Sequence, residues 1–96
     1  MKSGKTNAVA DLLKSIFKEK KFEDGLLSAQ IKREWVEIVG VKVASVTGNM
    51  WVKEGVLFVE VKSSIIRAEL KMISRDLVGV VNRRLGDNVI TDMVVR

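Results

Sequence analysis

The segment NMWVKEGVLFVEVKSS, residues 49–64, decides the predicted fold of this chain. Gly55 favours a tight turn at Glu54 and Gly55, and the flanking residues are rich in valine and aromatic side chains, as is typical of a β-hairpin. A helix is expected to follow, with Ser63 or Ser64 as its cap. A two-residue loop would pair Lys53 with Val56, Val52 with Leu57, Trp51 with Phe58 and Met50 with Val59.

The two faces of this hairpin differ in character, because successive side chains of a strand point to opposite faces of a sheet. A slip of one residue would invert the assignment. One face is apolar and carries Met50, Val52, Leu57, Val59 and Val61. The other face carries Trp51, Lys53, Val56, Phe58, Glu60 and Lys62. The register therefore predicts two aromatic rings side by side on the face that the core does not require.

Two helices are predicted before the hairpin. The first begins at Thr6 or Asn7 and has apolar residues at helical spacing, with a lysine cluster near its end. The segment FEDGLL, residues 22–27, then breaks the chain. The second helix ends at Gly40, and its apolar stripe consists of Leu27, Ile31, Trp35 and Ile38. Residues 41–47 fit either a continued helix or a strand, so they are left as a connector.

A long helix over residues 64–85 is predicted after the hairpin, ending at Gly86. The final segment VITDMVVR, residues 89–96, is expected to be a third strand that joins the hairpin. The helix has an apolar stripe of Ile66, Leu70, Ile73, Leu77 and Val81. A neighbouring stripe carries Arg67, Lys71, Arg75 and Asn82. The basic stripe is either a solvated face or a binding surface, and the sequence supports both interpretations equally.

The predicted architecture is a small α+β domain in the order helix, helix, strand, strand, helix, strand, with the helices on one face of a three-stranded sheet. Residues 1–96 are expected to form a single domain, in which helices over residues 7–40 precede the hairpin, helix and strand of residues 49–96. The expected structural core contains Trp35, Leu57, Val59, Leu70 and Leu77.

The composition excludes most enzyme classes. The chain has no histidine and no cysteine, so it lacks the usual general base and the commonest zinc ligands. No catalytic residues, metal site or cofactor are predicted. The net charge of +5 on 96 residues favours a polyanionic partner such as nucleic acid. No signal peptide or membrane span is evident, so we expect a cytoplasmic protein without membrane contact.

With these elements in place, the sequence resembles the DciA family of bacterial replicative-helicase operators. The resemblance covers about three quarters of the chain, and its segments occur in the family's order. It is carried by WVEIVG at 35–40, Ala44 and Thr47, GVLFVEVKSS at 55–64, Glu69 and Leu70, LVGVVNRRLG at 77–86, and VITDMVVR at 89–96.

The resemblance implies a KH-like domain that has affinity for DNA, binds the replicative helicase DnaB and assists its loading. It implies no catalytic residues. The sequence differs from related domains in two respects. No two glycines are three positions apart, so the GXXG loop by which many KH domains hold a nucleic-acid backbone is absent. Many family members also continue into a flexible C-terminal extension that helps to engage the helicase, whereas this sequence is expected to end with its last strand at Arg96, so the resemblance supports helicase loading less than nucleic-acid contact.

The leading hypothesis is a non-enzymatic adaptor that binds single-stranded DNA and the helicase. Bases would stack on Trp51 and Phe58. Backbone phosphates would contact Arg67, Lys71, Arg75, Lys53 and Lys62. Three alternatives stay open: an RNA-binding module, a module for protein interaction or homo-oligomerisation through the aromatic face, and a purely structural Trp51 beneath the first helix.

Overall fold

The computed structural model describes residues 20–96, so the first predicted helix lies outside the described residues. The described part is an α+β structure with four helices and a three-stranded mixed sheet, which confirms the predicted fold class. The elements are α1 (Lys20–Val39), α2 (Val41–Ser45), β1 (Thr47–Lys53), β2 (Val56–Val61), α3 (Ser64–Met72), α4 (Ser74–Leu85) and β3 (Asp92–Val95).

The sheet has the order β1-β2-β3, with β1 antiparallel and β3 parallel to the central strand. The predicted hairpin register is confirmed, including the pairing of Trp51 with Phe58. Glu54 and Gly55 both have positive φ, 51° and 80°, as a two-residue turn of type I′ requires. The register shifts once, between Thr47 and Met50, so β1 begins with an irregularity.

The core lies on one face of the sheet, because alternate residues of β2 and β3 are buried there against the helices. All five predicted core residues are buried, from 0% exposure for Leu57 to 6% for Leu77. Among the described residues the buried core consists of Ile31, Trp35, Met50, Val52, Leu57, Val59, Val61, Leu70, Leu77, Val81, Ile90, Met93 and Val95.

The predicted break at FEDGLL is wrong, because α1 runs through this segment without interruption. A glycine inside a helix costs roughly 0.5–1 kcal/mol relative to alanine, but tertiary contacts offset that cost here. Ser28 Oγ donates to the carbonyl of Asp24 (2.7 Å) and accepts from the Val52 amide (2.9 Å). Asp24 Oδ2 accepts from the Glu54 amide (3.3 Å). The segment is therefore a helix that is bound to the edge of β1.

Gly40 ends α1 as predicted, and its φ of 91° is favourable only for glycine. The connector after it forms the short helix α2 and then enters β1. Trp35 links these elements, since its Nε1 donates to Thr47 Oγ1 (2.9 Å), which donates in turn to the Val43 carbonyl (2.8 Å). The indole is 3% exposed, so this pairing satisfies its buried N–H group.

The predicted single helix over residues 64–85 is also wrong, because the chain bends at Ile73 and forms two helices. One straight helix of that length would extend about 33 Å, whereas the central strand spans about 20 Å. Leu70 on α3 and Leu77 on α4 are both buried in the core. Ile73, a member of the predicted apolar stripe, is 44% exposed and Met72 is 84% exposed.

The helices are tied together and to β3 by polar contacts. Asn82 holds the chain that follows α4: its Oδ1 accepts from the amides of Val89 and Ile90 (both 3.0 Å), and its Nδ2 donates to the Ile90 carbonyl (2.9 Å). Arg84 Nε donates to Glu34 Oε1 at 2.6 Å, linking α4 to α1. This hydrogen bond raises the pKa of Arg84 above its ordinary value.

No helix in the part of the chain that the structure describes combines the length and the apolar character needed to span a bilayer.

Candidate nucleic-acid interface

Trp51 and Phe58 form a stacked ring pair on the sheet face opposite the core. Their ring centroids are 5.2 Å apart and the ring planes differ by 7°. Both side chains are half-buried, whereas their sequence neighbours Val52 and Leu57 are buried. The hairpin register places the two rings directly across from each other. The sequence therefore predicted this juxtaposition correctly.

Arg96 lies against both rings and was not identified from the sequence. Its guanidinium carbon is 5.2 Å from the Trp51 centroid and 5.4 Å from the Phe58 centroid, within the range of a cation–π contact. The signal that could have found it is the alternation in MVVR, which puts Val94 and Arg96 on one face once Met93 and Val95 are buried. The parallel pairing of β3 with β2 was needed to bring that face beside the rings.

The backbone of Arg96 continues the β3 ladder beyond the assigned strand. Its amide donates to the Val59 carbonyl (2.9 Å), and its carbonyl accepts from the Val61 amide (2.7 Å). In a parallel ladder, this pattern sets Arg96 opposite Glu60. The side chain thus starts from a fixed position on the outer face of the sheet.

Lys53 at the end of β1 and Lys62 directly after β2 are both exposed, next to the hairpin strands that carry the rings. Lys53 pairs with Val56 at the turn end of the hairpin. Lys62 follows β2, and its Cε would be 3.8 Å from a Cβ built on Gly48, so its aliphatic stem lies beside that glycine. The ring pair therefore has one lysine toward the hairpin turn and one toward the far end of β2. Two acidic residues share this surface: Asp92 pairs with Val56, and Glu60 lies between Phe58 and Lys62 along the chain.

Arg67 is placed differently from the other predicted phosphate contacts. It is half-buried, and its Nη2 donates to the Val61 carbonyl at 2.6 Å. Its Nε is buried and makes no hydrogen bond. Arg67 thereby joins α3 to the end of β2.

Lys71 and Arg75 are exposed at the bend between α3 and α4, in the helical layer. Together with Met72, Ser74 and Asp76 they line an open cleft of about 420 Å³. Asn82, the last member of the predicted basic stripe, is occupied by its contacts to the loop before β3. The structure thus separates the predicted contacts into an aromatic sheet face and a basic helix bend.

A groove of about 420 Å³ runs beside Trp51, between the first half of α1 and the edge of β1. Its lining residues are Asp24, Gly25, Ser28, Trp51, Val52, Lys53 and Glu54. The hydrogen bonds from the Val52 and Glu54 amides to α1 side chains occupy part of this strand edge. A side-by-side strand addition at β1 would have to replace them.

Within residues 20–96, no three His, Cys, Asp or Glu side chains come together in a way that could hold a metal ion.

The aromatic face offers two kinds of interaction: its rings can stack on a planar group, and its cations can bind an anion. Both suit an unpaired nucleotide.

Comparisons with known proteins identify the family. A UPF0232 protein of Corynebacterium glutamicum (strain R) is 30% identical over 63 residues, which are 66% of this chain. The chain spans 35% of the length of that relative. No solved structure matches. The family model described as "Dna[CI] antecedent, DciA" matches residues 8–95. Since that match covers nearly the whole sequence, the chain belongs to the DciA family.

Proposed function

We propose that this protein is a non-enzymatic cytoplasmic adaptor that binds single-stranded DNA and the replicative helicase DnaB, and that it assists helicase loading in DNA replication. The observation that carries the nucleic-acid part is the ring pair of Trp51 and Phe58 on the outer face of the sheet, with Arg96 against it. The helicase part rests on membership of the DciA family.

Stacking supplies the attraction for bases. Every base has a π-face, so a base that stacks on Trp51 or Phe58 contributes about 1–3 kcal/mol without sequence preference. The exposed ammonium groups of Lys53 and Lys62 flank the rings and attract backbone phosphates. This combination of rings and cations fits a flexible single strand, whose bases are free to leave their own stack.

The second basic surface is the helix bend. Lys71 and Arg75 project from the helical layer, so a strand that contacts both surfaces has to pass around an edge of the domain. Arg67 is tied to the Val61 carbonyl and would contribute a phosphate contact only through its remaining N–H groups. We assign the principal contacts to the aromatic face and auxiliary ones to the bend.

The test is binding of an oligothymidylate to the Trp51→Ala variant, measured by fluorescence anisotropy of a labelled strand. Loss of one stacked base predicts a loss of about 1–3 kcal/mol, roughly 5- to 150-fold in Kd. Ile65→Ala is the matched control, because Ile65 is an apolar side chain on α3 that is 72% exposed. Unchanged affinity for Trp51→Ala, or no wild-type binding at low salt, would exclude this mechanism. Parallel titration with oligouridylate distinguishes a DNA preference from an RNA preference.

The second candidate is a protein-interaction or self-association module. It is favoured by one observation: Val94 pairs with Phe58 and is 37% exposed, so it adds an apolar side chain to the ring pair on the third strand. Apolar and aromatic surface of this kind is typical of interface cores. Sedimentation velocity of Trp51→Ala separates the two functions. A change in oligomeric state with unchanged oligonucleotide affinity would support the second candidate.

The helicase partner is tested by a pull-down of the full chain from native cytoplasm, with and without nuclease. Recovery of the replicative helicase after nuclease treatment supports direct binding. Recovery that nuclease abolishes indicates that nucleic acid bridges the two proteins, and recovery of ribosomal or RNA-processing proteins instead supports the RNA-binding alternative.

A further inference from the structure

We infer that Arg96 is a phosphate-binding residue of the aromatic face: its guanidinium covers the Trp51–Phe58 ring pair in the free protein, and moves to the phosphate of the nucleotide whose base takes its place. This inference deepens the proposed function and rests on it.

The position of Arg96 is fixed by its backbone and not by an ion pair. Both its amide and its carbonyl bond to β2, at 2.9 and 2.7 Å, so its Cα is held in the sheet. Among the ion pairs of the described residues none includes Arg96. The guanidinium instead lies nearly equidistant from the two ring centroids, at 5.2 and 5.4 Å. Within residues 20–96 this cation contacts aromatic rings and no carboxylate, and its side chain is exposed.

The guanidinium occupies ring surface that a base needs. Trp51 and Phe58 already cover part of each other, since they stack with nearly parallel planes. Arg96 covers further surface on both rings. A cation–π contact at an exposed site is weaker than the stacking of a base on an aromatic ring. A base can therefore replace the guanidinium, and the ring pair becomes available without any change in the backbone.

The displaced guanidinium has a suitable new partner within reach of its fixed Cα. A nucleotide that stacks on the rings carries its own phosphate, and the planar fork of arginine binds phosphate oxygens with two parallel hydrogen bonds. Glu60, opposite Arg96 on β2, and Asp92, near the hairpin turn, would otherwise repel that phosphate. Arg96 lies opposite Glu60 in the β2–β3 ladder. Its positive charge therefore offsets the repulsion between Glu60 and a phosphate of the bound DNA strand.

The experiment compares Arg96→Gln and Arg96→Lys with Lys32→Gln, a charge-matched control at an exposed position of α1. Oligothymidylate affinity is measured as a function of salt concentration. For a single strand, log K falls with log salt at a slope of about −0.7 per phosphate contact. We expect Arg96→Gln to bind more weakly and to lose about 0.7 from the steepness of the slope. Arg96→Lys keeps the slope, and Lys32→Gln keeps both slope and affinity.

A second measurement reports on the free protein. Trp35 is 3% exposed, so acrylamide quenching of tryptophan fluorescence reports mainly on Trp51. Removing the guanidinium should increase quenching in Arg96→Gln, and saturating oligothymidylate should protect Trp51 in the wild type.

The outcomes separate the two proposals. If the wild type binds and Arg96→Gln has an unchanged salt slope, the inference about Arg96 is overturned while the proposed function stands. Unchanged quenching in Arg96→Gln likewise overturns the covering role. If the wild type does not bind oligothymidylate at any salt concentration, the proposed function itself fails. Circular dichroism checks that Arg96→Gln is folded, and Arg96→Ala, which removes the same positive charge, provides the same test if the glutamine variant unfolds.

Discussion

The two tryptophans show how differently the two faces of this sheet use the same side chain. Trp35 reaches the inner side of the sheet from α1, is 3% exposed and donates its N–H to Thr47. Trp51 lies on the outer face, is half-buried, and stacks on Phe58 beneath Arg96. The inner ring is enclosed by neighbours that cannot move away without opening the core. Among residues 20–96, the outer ring contacts one ring and one exposed cation, so it is suited to exchange contacts with a ligand.

The largest expected effect comes from truncating the inner tryptophan. Trp35→Ala should lower the free energy of unfolding by about 3–5 kcal/mol, because it leaves a large cavity and removes the partner of Thr47. Trp51→Ala should cost less, because the outer ring is only half-buried and its removal leaves no enclosed cavity; the aromatic pair contributes about 0.5–1.5 kcal/mol beyond the area that the ring buries. Urea denaturation of both variants checks the difference. An equal loss for Trp51→Ala would mean that the outer ring is itself enclosed, and would remove the basis for a binding face.

The second comparison uses two adjacent residues of β2 that point to opposite faces. Leu57 is completely buried, so Leu57→Ala should cost about 2–5 kcal/mol. Phe58→Ala should cost about 1 kcal/mol, since it removes a cross-strand aromatic contact. The measurement is again urea denaturation, with oligothymidylate affinity as a second readout. Phe58→Ala should weaken DNA binding while it leaves most of the stability, and the reverse result would contradict the assignment of faces.

The smallest effect is expected on the outer face of β3. Val94→Thr should change the free energy of unfolding by less than about 0.5 kcal/mol, as is usual for exposed positions. Val95→Thr is the matched control, because Val95 is 5% exposed and a buried hydroxyl without a partner costs about 1–3 kcal/mol. Thermal unfolding of the pair is sufficient. Similar losses for both variants would show that a further layer covers the outer face.

The hairpin could be read from the sequence because its determinants are local. Gly55 selects the turn, the turn selects the register, and the register assigns every side chain from Met50 to Val59 to a face. The pairing of Trp51 with Phe58 follows directly from this register. The core residues Trp35, Leu70 and Leu77 were predictable for a similar reason, since helical periodicity marks the face that is buried.

The two helix predictions failed where contacts distant in sequence outweigh local preference. Gly25 indicated a break, but Ser28 and Asp24 bind the edge of β1, 24 and 30 residues later in the chain, and these bonds support α1 at this point. Ile73 fitted the apolar stripe, but it lies between two helices with a non-helical φ of -107° and is 44% exposed. A local sequence pattern contains no information about the strand edge that α1 binds or about where the helical layer is interrupted.

Local sequence patterns were sufficient to predict the hairpin, its two faces and the α+β class, and the composition shows that the side chains used by most hydrolases and zinc sites are absent. The composition of the candidate site depended instead on how distant segments pack together. Parallel pairing of β3 with β2 brings Arg96 onto the rings, while Lys71 and Arg75 lie on helices that pack against the opposite face of the sheet. The difference arises because a turn fixes the pairing of neighbouring strands within a few residues. The order and direction of a distant strand depend instead on how the whole core packs.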